Sequence, residues 1–358
     1  MAVSYTEGGI TRKGSFDFTI MNGIRTPKQL KASYTGMQPI EQGTALSAKD
    51  FEVMAVYSDG VEEAISNEEQ DFFLLSADSV PLQEGAFDVT VSLNPQMYGE
   101  DELPSGTLML QADRARIGTW KIGVPNVADV QAVLYEEGDF VVRGNGNTKR
   151  FTWDTDVPWR SKRTQIQSVT IEETVRPTSM GNWFYRCNKL TEAPNIPDSV
   201  TDLGATFFEC SNLIKAPEIP EGVINMYCTF AGCSKLTEAP AIPENVTNMD
   251  GTFDNCSNLI GAQAIPEGVT NLKAAFRGCS KLTKAPVIPE NVTNMSYTFY
   301  NCQSLKGDLV INATPSSYGN CLYGAAIKGS TLYLSGLSTV LDKILATKTL
   351  NSQIEIKQ

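Results

Sequence analysis

The chain has 358 residues, a formal net charge of −12 and no histidine. Without imidazole, the Ser-His-Asp triad, the Cys-His pair and histidine metal sites are excluded, which removes most hydrolase and metalloenzyme designs. The acidic charge also disfavours nucleic acid and anionic membranes as partners. We therefore expect no catalytic residue, no metal and no cofactor, and keep a carboxylate-based glycan hydrolase only as a remote alternative.

Neither an export signal nor a membrane span is expected from the sequence. It lacks a basic region followed by an apolar region, so no signal peptide is predicted. No apolar run approaches the roughly 18 residues that a membrane-spanning helix needs, so membrane insertion is not expected. The sequence favours a protein made in the cytoplasm, with a missing leader as the alternative.

The first third of the chain shows short strands. Residues 1–27 form a glycine-punctuated arm, and residues 28–94 contain an alternating strand at 87–93 and a hairpin turn at 58–60. The segments 55–60 and 84–91 are similar to bacterial immunoglobulin-like domains, which implies a small immunoglobulin-like β-sandwich over 28–94. Residues 95–117 are interpreted as a linker or as extra strands around 108–110.

Residues 118–183 are interpreted as the N-terminal cap of the repeat region that follows. A hairpin is predicted across residues 136–139. This part of the chain contains all four tryptophans, Trp120, Trp153, Trp159 and Trp183. Exposed aromatic rings can stack on sugars, but we favour packing of these rings in the core of the cap.

Residues 184–306 repeat with a period of 23. Cysteine recurs at that interval, at Cys187, Cys210, Cys233, Cys256, Cys279 and Cys302. Three residues before each cysteine stands a phenylalanine: Phe184, Phe207, Phe230, Phe253, Phe276 and Phe299. A leucine follows each cysteine by three residues, and an Ile-Pro-x-x-Val segment and an Asn or Asp complete most units.

A 23-residue unit lies within the range of leucine-rich repeats. One unit cannot bury its own apolar face, so neighbours must stack, about 4.8 Å apart, and equivalent side chains must form buried columns. The segment from the leucine to Ile-Pro is expected to form a concave parallel strand. The asparagine column is expected to bond backbone groups of the adjacent coil.

The cysteines could form disulfides, bind metal or act as nucleophiles. One cysteine per coil, in register and without histidine, instead favours small buried side chains that stay reduced. Asn245, Asn291 and Asn312 match the N-glycosylation pattern, but the first two are repeat positions, which favours a structural role.

Residues 307–358 are interpreted as the C-terminal cap. Leu337, Val340, Leu341, Ile344 and Leu345 have the spacing of an amphipathic helix. Short strands are predicted on either side, at 332–334 and 354–356.

The repeat motifs Val-Thr-Asn-Met and Phe-x-x-Cys-Ser-x-Leu-Thr resemble those of BspA-like leucine-rich-repeat surface proteins. The resemblance covers about residues 118–358, with departures at Gln263 and at 307–309. It implies a mainly β protein with short helices, namely a leucine-rich-repeat solenoid after the small sandwich. Members of this family are adhesins and surface-exposed binders of bacteria, some protists and their viruses.

Exposed strand positions vary between repeats on this fixed scaffold. Variable positions of this kind present binding surfaces in solenoids, although an unconstrained surface varies in the same way. The residues that we predict to contact a partner are Glu192, Asn195, Lys215, Glu218, Glu238 and Lys284.

We interpret the chain as a non-enzymatic recognition protein that binds a protein or glycan on a cell surface. Without a signal peptide, the first hypothesis is a bacteriophage or tail-like particle component, such as a tail fibre, joined to particle proteins through the N-terminal region. The alternative is a bacterial secreted or cell-surface adhesin. A homo-oligomer stays open, although no coiled-coil heptads are present to hold one.

Overall fold

The computed structural model describes residues 2–7, 10–15, 27–35, 40–41, 43–65, 73–77, 79, 81, 85–98, 103–114, 116–329, 331–336 and 338–357. The chain divides into two compact units, Met1–Arg116 and Ile117–Gln358. Both are mainly β with short helices, as predicted.

The described residues of the first unit form two sheets. Its elements are β1 (Ala2–Glu7), β2 (Ile10–Ser15), β3 (Gln29–Tyr34), β4 (Ile40–Glu41), a 3-10 turn (Ala48–Asp50), β5 (Phe51–Val56), β6 (Glu62–Ile65), β7 (Phe73–Leu75), β8 (Gly85–Leu93), α1 (Pro95–Tyr98) and β9 (Ser105–Asp113). One sheet has the order β2-β1-β6-β5-β3, and the other has the order β4-β9-β8-β7.

These two sheets share one core and so form a β-sandwich. Val53 and Ala55 of β5 are buried together with Val89 and Val91 of β8. The hairpin predicted at 58–60 is confirmed, since β5 and β6 pair antiparallel across it. The segment 95–117 contributes a strand to this sandwich, because β9 pairs with β8 along its length.

The second unit opens with a cap of short strands. They are β10 (Arg116–Lys121), β11 (Gly123–Val124), β12 (Val130–Tyr135), β13 (Asp139–Gly144), β14 (Asn147–Thr148) and β15 (Ser168–Ile171), with 3-10 helices at Asp154–Asp156 and Arg160–Gln165. The predicted hairpin across 136–139 is confirmed as the β12–β13 pair. β15 then pairs with β13 in parallel, which is also how successive coils of the repeat region pair with one another.

Two tryptophans form the core of this cap, as favoured from the sequence. Trp159 and Trp183 are buried, and the Trp159 indole N–H donates to the Trp183 carbonyl at 2.8 Å. Trp120 packs against Trp159 with the ring centroids 5.9 Å apart. Trp153 is the exception, because its side chain is 69% exposed.

The repeats stack as predicted, with equivalent side chains in continuous columns. Successive phenylalanine rings from Phe184 to Phe299 lie nearly parallel, with centroids 5.6–5.7 Å apart. The phenylalanine, cysteine and leucine columns are all buried. One hydrophobic core runs from the cap through every coil.

We call residues 202–210 and their equivalents at 23-residue intervals the turn half of the coil. Every second N–H there donates to the next coil, from Leu203, Ala205, Phe207 and Glu209 to the carbonyls of Asn225, Tyr227, Thr229 and Ala231. The intervening N–H groups bond within the coil. This alternation places two residues per coil in the left-handed region, where Ala205 has φ 54° and Glu209 has φ 53°.

We call residues 191–201 and their equivalents the proline half. The prediction of a concave strand there is wrong, since the described coils show only isolated parallel bridges, such as Glu192 with Lys215 and Gly261 with Lys284. Pro194 and Pro197 explain the difference, because proline has no N–H to donate to a ladder. The backbone of this half is therefore tied to its neighbours at few points.

The asparagine column forms a side-chain ladder. Asn225 Nδ2 donates to Asp202 Oδ1 at 2.7 Å, and Asn248 Nδ2 donates to Asn225 Oδ1 at 2.9 Å. Each oxygen also accepts the N–H two residues further on, as Asn225 does from Tyr227. The expected bonds to the backbone of the adjacent coil are thus replaced by bonds to its side chains and to the residue's own coil.

The last coils end in a small parallel sheet, β16 (Gly307–Ile311), β17 (Leu332–Gly336) and β18 (Ile354–Ile356), with α2 (Ser338–Leu345) between the last two strands. The predicted helix and both flanking strands are confirmed. Leu337, which was assigned to the helix, lies outside the described residues. Ile344 and Leu341 of α2 are buried against the end of the core.

Replacing one ring of the phenylalanine column should destabilise the solenoid strongly. Phe253 stacks on Phe230 and Phe276, so Phe253→Ala leaves a cavity between two coils and should cost about 3–5 kcal/mol. Guanidinium unfolding followed by tryptophan fluorescence measures this unit alone, because all four tryptophans lie in it. The control is Phe208→Ala at a half-buried ring, and an equal loss there would contradict the role of the column.

Two glycines should respond to alanine with opposite signs. Gly251 has φ +64°, and an added Cβ would lie 2.7 Å from Cys228 Sγ, so Gly251→Ala should destabilise by about 1–2 kcal/mol. At Gly261 the added Cβ meets nothing within 4 Å, so Gly261→Ala should stabilise by about 0.4–1 kcal/mol. The same unfolding measurement compares them, and equal shifts would refute the backbone argument.

Candidate functional site

A groove of about 970 Å³ crosses the proline half of three consecutive coils. We call it the groove; it is lined by residues 192, 193 and 195 of one coil, 214–219 of the next and 237–241 of the third. Five of the six predicted partner-binding residues line it: Glu192, Asn195, Lys215, Glu218 and Glu238. Lys284 lies outside the groove, in the same column as Glu192 but four coils further along.

The floor of the groove is small and apolar. Ala193, Ala216 and Ala239 occupy one column, and Pro217 and Pro240 stand beside it. Small side chains and a backbone without ladder bonds let solvent approach the chain closely here. The coils stay in register at the edge of the groove, where the Ile214 N–H donates to the Thr191 carbonyl at 3.0 Å.

The charged side chains of the groove have no partners within the described part of the chain. Glu192, Lys215, Glu218 and Glu238 are exposed, and none of them forms an ion pair or a side-chain hydrogen bond with a described residue. Three of the four groups are carboxylates. The groove is therefore an acidic surface whose charges are available to a ligand.

Charges on the turn half are arranged differently. Arg186 pairs with Glu209 at 2.7 Å, and Arg277 Nε donates to Asp254 Oδ1 at 2.7 Å. Lys273 and Asp250 approach to 3.7 Å. Each of these pairs joins one coil to the next, so these charges satisfy one another across the stack.

The groove gathers carboxylates that the sequence did not place together. Glu192, Glu218 and Glu238 stand in three different coils and line the same groove. A glycosidase general acid is kept protonated by an apolar pocket, whereas these three side chains are exposed. The arrangement suits ionic contact with a ligand better than acid catalysis.

Sequence reasoning missed the apolar part of the groove. Ile214 is 54% exposed at a position where the next coil carries Thr237. The available signal was this replacement of a threonine by an isoleucine at an exposed repeat position. The alanine and proline columns gave no signal of their own, because they recur like the rest of the scaffold.

The cysteine column takes part in the stacking. All eight cysteines are free, and each thiol from Cys210 to Cys302 in the column donates to the phenylalanine carbonyl of the preceding coil, as Cys233 does to Phe207 at 3.1 Å. Burial raises the pKa of Cys210 to about 12 and raises that of Cys187 as well. Such thiols are poor nucleophiles and poor metal ligands at neutral pH.

Two of the three glycosylation-type asparagines are used internally. Asn245 Nδ2 donates to the Glu221 carbonyl at 2.8 Å, and Asn291 Nδ2 donates to the Glu267 carbonyl at 2.9 Å. Both bonds join adjacent coils. They support the structural role that the repeat position indicated.

Two further kinds of site were searched for in the described segments. No group of three or more cysteine, aspartate or glutamate side chains there is arranged to hold a metal ion. None of the helices in those segments combines the length and the apolarity that crossing a membrane requires.

The repeat region matches a known family of repeats. Six copies of the BspA type leucine rich repeat region align with residues 161–283 and 217–329. The stacked coils form a leucine-rich-repeat solenoid, and they are similar to repeats of this type. The match lies within the second unit, so the immunoglobulin-like character of the first unit stays a prediction.

Solved structures similar to this chain include a leucine-rich repeat protein from Bacteroides ovatus, with 21% identity over 61% of this chain and 60% of that one, and a TM-score of 0.44. A leucine rich cell surface protein from Faecalibacterium prausnitzii has 24% identity over 52% and 54%, with a TM-score of 0.36. The pneumococcal vaccine antigen PcpA has 17% identity over 55% and 53%, also with a TM-score of 0.36. The chain thus spans 53–60% of these proteins. No curated protein matches the sequence.

Thiol labelling should distinguish the buried column from the one half-buried cysteine. Cys228 is the most accessible thiol, and burial raises its pKa to about 11. The native protein should therefore react slowly at pH 8 and at Cys228 only, with the rate rising about tenfold per pH unit as the thiolate fraction grows. A chromogenic disulfide reagent measures this rate.

The control is Cys228→Ser, which should lose the native-state reaction and show seven thiols instead of eight once unfolded. Rapid labelling of several thiols in the native protein would contradict the buried column.

Proposed function

We propose that this chain is a non-enzymatic recognition protein of a bacterial surface, and that the groove is where it binds its partner. The observation that carries the proposal is the groove itself. It crosses three coils, it exposes unpaired charges beside an apolar floor, and its side chains change from coil to coil while the buried columns do not. A stacked scaffold with variable exposed positions is the usual way in which solenoids bind partners.

The bacterial surface is favoured over the phage or tail-like particle. The support is the match to BspA type repeats and the similarity to a leucine rich cell surface protein from Faecalibacterium prausnitzii. None of the observations on this chain supports attachment to a particle through the first unit. An antibody to residues 117–358 that labels intact cells of the source organism would support this location, and labelling of released particles alone would overturn it.

Filling the groove should abolish recognition without unfolding the protein. Ala241 is exposed in the lining of the groove, so Ala241→Trp should reduce attachment to a mucosal cell layer by about tenfold or more. The matched control is Ala264→Trp, because Ala264 occupies the equivalent exposed position one coil further on, outside the groove. The measurement is the retention of fluorescent beads coated with each purified chain.

Retention that falls for Ala241→Trp but not for Ala264→Trp supports the groove as the binding surface. If the wild-type beads are not retained, or if both variants behave alike, the proposal fails.

A further inference from the structure

The charge of the groove indicates the chemistry of its partner. Its lining contains Glu192, Glu218 and Glu238 but one basic group, Lys215. None of the four is paired to another described residue. Because opposite potentials meet across specific interfaces, the segment that fills the groove should carry positive charge.

The border of the groove extends the same charge. An acidic side chain follows three residues after Asn195, Glu218 and Ala241. In the three coils of the groove these acidic residues are Asp198, Glu221 and Glu244. All three are exposed, and they too have no ion-pair partner among the described residues. The border therefore strengthens the negative potential around the floor instead of compensating it.

The floor of the groove favours a peptide over a sugar chain. Alanine, proline and isoleucine form it, and of the described residues that line the groove none is aromatic. Amphipathic aromatic rings are the side chains that offer a flat apolar face with a polar edge, as sugar rings need. Asn195 supplies the sole amide side chain of the lining. A chain with small or aliphatic side chains can instead lie directly on this floor.

The spacing of the charges sets a register. Glu192, Lys215 and Glu238 stand at the same position of three successive coils, and coils paired through parallel bridges are about 4.8 Å apart. The two glutamates are thus roughly 10 Å apart, which is about the length of three residues in a polyproline II chain, where side chains at i and i+3 lie on the same face. Lys215 lies between them and repels a positive charge placed midway.

We propose that the groove binds a peptide segment in the polyproline II conformation, lying along the solenoid axis, that carries Lys or Arg at positions i and i+3 with uncharged residues between them. This inference rests on the proposed function, since it names the partner of the same groove. Two cationic side chains of the peptide would contact Glu192 and Glu238. The residues between them would lie on the alanine floor, and these two contacts together give the specificity.

Two peptides of identical composition test the register. Fluorescein-labelled Lys-Ala-Ala-Lys-Ala-Ala-Lys and Ala-Ala-Lys-Lys-Lys-Ala-Ala carry the same charge and are too short to form stable helices. In fluorescence anisotropy titrations of the full chain at low salt, the spaced peptide should bind about fivefold more tightly. The difference should shrink at high salt, because exposed charge pairs are screened.

Variants with opposite expected signs test the residues. Glu192→Gln with Glu238→Gln should weaken binding of the spaced peptide about fivefold or more, and Lys215→Gln should tighten it about twofold. The matched control is Glu267→Gln with Glu290→Gln, which removes the same charge from exposed positions outside the groove and should change binding little. All these positions are exposed, and unchanged tryptophan-detected unfolding confirms that each variant folds.

Each result supports or overturns the inference. Equal affinity for the two peptides, equal weakening by the control pair, or no tightening by Lys215→Gln would overturn it, as would tight binding of neutral oligosaccharides to the groove. If Ala241→Trp abolishes attachment to cells while the glutamine variants bind the peptides normally, the groove is the binding surface and the cationic assignment is wrong. If Ala241→Trp changes neither attachment nor peptide binding, the proposed function fails as well.

Discussion

The stacking distance between coils is the constraint on which the rest of this structure depends. Parallel pairing sets adjacent backbones about 4.8 Å apart, and each buried side chain must then accommodate a copy of itself at that interval. The phenylalanine rings do so with centroids 5.6–5.7 Å apart and nearly parallel planes, which is an offset stack. The cysteine thiols and the asparagine amides do so by bonding to the neighbouring coil. A residue that cannot tolerate its own copy one step away cannot occupy a column.

The two halves of each coil differ in how they contribute to stability. The turn half bonds every second N–H to the next coil and closes its charges into pairs such as Arg186–Glu209. The proline half has few donors for such bonds, so its backbone is held by isolated bridges and its side chains need not repeat. Glu192, Lys215 and Glu238 can therefore differ at equivalent positions without disturbing the core. The groove lies in the half of the coil where the fold restricts the choice of side chains least.

The columns could be predicted from the sequence because their chemistry recurs unchanged every 23 residues, as Phe207 and Cys210 illustrate. The caps were predicted from shorter patterns, such as the hairpin across 136–139 and the helix that contains Val340 and Ile344. Features that depend on three-dimensional backbone geometry were not predicted. Periodicity does not show that Ala205 adopts a left-handed conformation, or that prolines reduce a strand to single bridges. The charged groove residues were found because they vary, whereas the alanine floor was missed because it repeats.

The net charge of the chain and the individual charges of the groove would act on a charged ligand in different ways. A net charge of −12 attracts cations from a distance but gives no register, since fields from exposed charges fade over about 8 Å at physiological salt. The separation of Glu192 and Glu238, roughly 10 Å by two coil steps, exceeds that distance. Each glutamate therefore acts on a ligand largely as a separate point, whereas Lys215 lies one coil step from each of them and weakens the attraction of both. Because neighbouring points are fixed by the coil spacing, the same constraint that packs the core also fixes the spacing of charges that a ligand must match.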